Sequence, residues 1–119
     1  MDDATPGAPA EPIDLAALGD ELMAEAAGAA SGRATRVLRA RPGGSLSQVM
    51  LALDAGRELS EHENPGQALL EIRRGRVRLV AGEVAWELGT GEHVVIPDRR
   101  HSLLALEDAL VTLTVVRGG

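Results

Sequence analysis

Cysteine, lysine, tyrosine and phenylalanine are all absent from this sequence, and Trp86 alone represents the large aromatic residues. Without Lys there is no Schiff base, and so no lysine-anchored pyridoxal chemistry. Without Cys there is no thiolate nucleophile, disulfide, iron–sulfur cluster or zinc finger, and cysteine usage says nothing about the redox compartment. With no Tyr, proton transfer falls to His62, His93, His101 and the carboxylates. Any metal would have to take imidazole and oxygen ligands. The missing rings also leave Leu, Val, Ile and Ala to fill the core.

Long hydrophobic runs are missing too. The longest apolar stretches fall far short of the roughly 20 residues of a membrane span, and no positively charged segment followed by an apolar one opens the chain. The expectation is a cytoplasmic protein with no membrane partner. An excess of positive charge is equally lacking, since the net charge is −6. Residues 1–32 hold seven acids and no Arg, while the remainder holds twelve Arg against eleven acids, so the body of the protein is almost neutral. Nucleic acid is therefore not an expected partner: its phosphates demand net positive charge, and single strands demand stacking rings.

At 119 residues the chain makes one domain with one modest core. An apolar content of 45 % excludes disorder throughout. Residues 1–12, with four Pro or Gly, read as a disordered acidic arm. Asp14 can cap a helix within residues 13–31, whose Leu15, Leu18 and Leu22 fall on one stripe and which ends near Gly28 or Gly32. From Thr35 the period changes. Short β-favouring runs follow one another, from "TRVLRAR" and "SQVMLALDAG" to "HSLLALE" and "ALVTLTVV", punctuated by Gly, Pro and Asp every eight to twelve residues. About eight strands with no room for crossover helices imply antiparallel pairing over residues 34–117, in a sandwich, closed barrel or jelly roll.

Two turns are legible, a hairpin around Ala81-Gly82-Glu83 and another around Glu107-Asp108. In "RRGRVRLV", Arg74, Arg76 and Arg78 point one way and Val77 and Leu79 the other, so the arginines form a solvated face or, alternatively, an anion or partner surface. The segment "VMLALDA" is apolar on both faces and so asks for a second layer.

Ser60, His62 and Asn64 stand at i, i+2 and i+4, on one face of an extended strand. Pointing into a core, such polar groups need partners. Gly56, five residues, His62, one residue, Asn64, three residues, Ala68, six residues and Gly75 resemble the first motif of the cupins, G-x5-H-x-H-x3-E-x6-G. Downstream, Gly91, five residues, Pro97 and then His101 resemble the second, G-x5-P-x-G-x2-H-x3-N. The resemblance covers residues 35 to 117. It implies an all-β, antiparallel jelly-roll barrel with a short N-terminal helix, and it implies a homodimer.

Cupins commonly hold a divalent metal with the two His and the Glu of the first motif and the His of the second. Here His62 and His101 keep two of those positions, Asn64 replaces the second imidazole and Ala68 the carboxylate. Arg99 stands at or beside the second motif's Gly, and Ala105 replaces its Asn. Two imidazoles and one amide are a poor set for an ion that wants about four good ligands. His93 lies outside the motif positions and reads as a surface residue.

The leading expectation is accordingly a binding module: Leu70, Ile72, Val77, Leu79 and Leu103 line a cavity that takes a small molecule over a floor of Ser60, His62, Asn64 and His101, a degenerate metal site. The alternative is a metal-dependent oxygenase or isomerase in which His62 and His101 hold Fe, Mn, Ni, Cu or Zn. A structural, oligomer-forming role is the third.

Overall fold

The computed structural model describes residues 11–40, 43–62 and 67–117, with Glu61 and His62 described in the backbone only. Most of the expected arm lies outside the described residues. Glu11 is described, and its carbonyl accepts a hydrogen bond from Arg39 Nη2 at 3.2 Å. Asp14 opens the helix α1 (Leu15–Gly28), its carboxylate accepting from the Ala17 N–H at 3.0 Å and so satisfying one of the donors a helix start leaves unpaired.

Among the described residues nine strands follow: β1 (Arg33–Arg39), β2 (Leu46–Leu53), β3 (Glu58–His62), β4 (Gln67–Arg74), β5 (Arg76–Ala81), β6 (Val84–Gly89), β7 (His93–Val95), β8 (His101–Ala105) and β9 (Ala109–Val116). They form a five-stranded sheet in the order β1-β2-β9-β4-β7 and a four-stranded sheet in the order β3-β8-β5-β6, with antiparallel pairing throughout. Only β1–β2 and β5–β6 are consecutive and paired. Every other connection from β2 onward carries the chain from one sheet to the other, which is the winding of a jelly roll.

The hairpin expected at Ala81-Gly82-Glu83 is present: Ala81 pairs with Val84 across a two-residue loop whose Gly82 has φ 62°. The one expected at Glu107-Asp108 is not a hairpin. β8 lies in the four-stranded sheet and β9 in the five-stranded one, so the turn is a corner between sheets. The Leu106 and Glu107 N–H groups donate to the Arg76 carbonyl at 2.9 and 3.3 Å, and Asp108 Oδ1 accepts from the Ala55 N–H at 2.8 Å. Gly56, Gly75 and Gly91, the spacing glycines of the two motifs, all have positive φ, 86°, 80° and 88°. Arg76 and Arg78 are exposed and Val77 and Leu79 buried, as alternation requires. Arg74 belongs instead to the other sheet, where its guanidinium meets Asp20 of α1 at 2.7 Å.

The main core lies between the sheets and includes Leu70, Ile72, Val77, Leu79, Leu103 and Val111. A second, smaller core joins α1 to the outer face of the five-stranded sheet, where Leu22 and Ala26 meet Leu38, Met50, Ala52 and Leu110. This settles what the two apolar faces of β2 are for. Leu51 and Leu53 serve the barrel and Met50 and Ala52 serve the helix, so the second layer comes from the chain itself. A homodimer then rests on the family resemblance alone.

Candidate functional site

His101 opens β8 and is 2 % exposed. Its ladder with β3 pairs Glu58 with Leu104, Leu59 with Leu103 and His62 with His101. Three steps along β3 thus match two along β8, which is a β-bulge: Ser60 and Glu61 together oppose Ser102. The bulge decides the site, because it resets the alternation. Positions 59 and 62, of opposite parity, both end up across from residues that line the interior, Leu103 and His101.

Two histidines 39 positions apart in sequence are therefore cross-strand neighbours in backbone register. Asn64 and the side chain of His62 lie outside the described residues. Ser60 is a correction. It is exposed and does not line the cavity, because strict alternation does not survive the bulge.

Between the sheets His101 faces a cavity whose other described lining residues are aliphatic, among them Leu70, Leu79, Leu103 and Val111 and the half-buried Leu59 and Leu113. The cavity has a volume of about 40 Å³, room for on the order of three waters. Of the lining expected from sequence, Leu70, Leu79 and Leu103 are in place, while Ile72 and Val77 are buried away from the cavity. Sequence reading missed Leu51, Leu59, Ile96, Val111 and Leu113. The parity of 60, 62 and 64 hides Leu59, and Leu113 emerges only from its pairing with Leu70.

The His101 ring is held in one sense by its neighbour two residues back. Nδ1 lies 3.0 Å from the Arg99 carbonyl oxygen, which can only accept, so Nδ1 carries the hydrogen. In the neutral ring the lone pair is then at Nε2. No described charged side chain lines the cavity.

A metal fits this set poorly. Among the described residues no group of three His, Asp or Glu could hold an ion. Ala68, at the position of the cupin carboxylate, is 3 % exposed and packs in the main core, where it offers a methyl group and no oxygen. Gln67, beside it, is exposed, so one step along β4 does turn the side chain away. His93 is exposed and opposes Glu71, in keeping with a surface role.

Two antiparallel sheets wound as a jelly roll around an interior cavity define a small β-barrel fold. This is the fold of small cupin domains among solved structures. No family model and no curated protein matches the sequence. Solved structures do match. A conserved protein of unknown function from Streptococcus pyogenes is 26 % identical at a TM-score of 0.69, covering 76 % of this chain and 79 % of its own. A cupin superfamily protein from Desulfitobacterium hafniense is 14 % identical at 0.67, covering 72 % and 78 %. KdgF from Halomonas sp. is 20 % identical at 0.63, covering 73 % and 82 %. Among the described residues no helix is long and apolar enough to cross a membrane.

Proposed function

We propose that this cupin domain binds a small organic molecule in its interior cavity, at the place where metal-binding cupins hold their ion, with His101 orienting the ligand and His62 and Asn64 completing the polar side. The observation that carries this reading is a buried imidazole of fixed hydrogen placement facing a cavity whose other described lining residues are aliphatic. The methyl of Ala68 in place of a carboxylate favours binding over metal-dependent catalysis.

The test is elemental analysis together with thermal unfolding of the untagged chain against a library of small compounds. The expected result is no stoichiometric metal and a Tm raised by one compound class, by roughly 10 °C at about a hundred times Kd. A His101→Leu variant should stay folded and lose that response. Stoichiometric Fe, Mn, Ni, Cu or Zn that disappears in His62→Ala would instead establish the oxygenase or isomerase type of site.

A further inference from the structure

Residues 11–30 carry five acids, Glu11, Asp14, Asp20, Glu21 and Glu25, and no Arg. The barrel meets this acidic segment with four arginines drawn from different parts of the chain. Arg36 of β1 pairs with Glu21 and Glu25 at 3.2 and 2.9 Å, and Arg74 at the end of β4 pairs with Asp20 at 2.7 Å. The other contacts reach main-chain carbonyls: Arg74 donates to Ala16, Arg39 to Glu11 and Arg57 to Ala30, each at 3.2 Å. Guanidinium ties thus run the whole length of α1, from the residues before it to the residues after it.

The apolar attachment is small by comparison. Only Gly19, Leu22 and Ala26 of the 14 helical residues are buried. A Cβ at Gly19 would press on Leu110 Cδ2, so the helix comes close there at the cost of a poor helix former in its interior. A helix of this length is marginal in water on its own, so detachment and unwinding go together. Exposed ion pairs are weak, and they fade as salt shortens the range of charge from about 30 Å at 0.01 M to about 3 Å at 1 M. Leu22 and Ala26 supply the hold that salt leaves in place, and the arginine ties supply the part it loosens.

The face beneath α1 is the back of the cavity wall. On β2, Met50 and Ala52 pack under the helix while Leu51, between them, lines the cavity. On β9, Leu110 packs under the helix while Val111 and Leu113 line the cavity. In register, Leu51 stands opposite Val111 and Ala52 opposite Leu110. Two surfaces that share two strands of a close-packed layer feel each other's strain. We propose that α1 is an ionically tethered strap, whose release by salt precedes unfolding of the barrel and loosens the β2–β9 side of the cavity wall. Leu79 and Leu103 line the cavity from the four-stranded sheet, which α1 does not pack against, and so they keep their order.

The experiment uses the full chain, with amide hydrogen exchange and labelled Leu and Val methyls followed by NMR at about 0.01 M and about 1 M NaCl. No ligand is needed, so the outcome is independent of whether the cavity binds one. The α1 amides should exchange roughly three- to tenfold faster at the higher salt, measured against the β9 amides of the same sample, as the loss of one or two exposed pairs requires. The methyl signals of Leu51, Val111 and Leu113 should move in step with that change, and those of Leu79 and Leu103 clearly less. An Arg36→Gln/Arg74→Gln double variant should show at low salt the α1 exchange that the wild type shows at high salt. Exchange of α1 that salt leaves unchanged, or slows, would overturn the strap. Faster exchange of α1 with the methyls of both sheets moving alike, or none moving, would overturn its coupling to the cavity. The wild-type salt series decides both points even if the double variant does not fold.

Discussion

A methyl group added at Gly75 would meet two obstacles at once. This single residue turns the chain from β4 into β5 at φ 80°, and a Cβ there would run into the Asp108 carbonyl oxygen at the neighbouring corner. Gly91 has nearly the same dihedral, 88°, with open space around it. Gly91→Ala should therefore cost only the left-handed conformation, about 1 kcal/mol, and Gly75→Ala about 2–4 kcal/mol, both measured by urea unfolding. These positions were legible through the motif resemblance, and a left-handed turn at the end of a strand leaves few residues to choose from. His101 was legible through the resemblance to the second cupin motif. Ser60 was not, since a bulge carries no signal in a run of polar residues.

At the level of elements, the helix divides its stability unevenly among its contacts. Leu22 is fully buried against the sheet, so Leu22→Ala should lose about 2–5 kcal/mol. Loss of the Asp14 cap in Asp14→Ala should cost about 1 kcal/mol. The Arg36 pairs with Glu21 at 3.2 Å and Glu25 at 2.9 Å are exposed at both ends, so Arg36→Ala should cost less than about 1 kcal/mol. Chemical denaturation of the three variants should reproduce that order; a costlier Arg36 substitution would mean that ion pairs hold the helix. Cap and apolar stripe are local features, and they revealed α1 in the sequence. The corner at Glu107-Asp108 uses the same turn residues as a hairpin, and turn chemistry does not say which sheet receives the next strand.

Across the whole molecule, two cores share one sheet. Removing residues 1–31 would strip α1 and leave Leu38, Met50, Ala52 and Leu110 facing water. Such a shortened chain should unfold more easily and associate with rising concentration in sedimentation or size-exclusion measurements, where the full chain does so less. The sequence showed that β2 needed covering on both faces. It did not show by what, because an apolar face looks the same whether it meets a helix or another subunit. The bulge in β3 has a quieter effect on how related chains should be compared. A relative lacking one residue at 60 or 61 would close into a regular ladder and still oppose the same two histidines, whereas an unbulged strand of the present length would set Glu61 opposite His101. A one-residue gap in that stretch is thus silent for the site, and an alignment that penalises it would separate proteins whose interiors are alike.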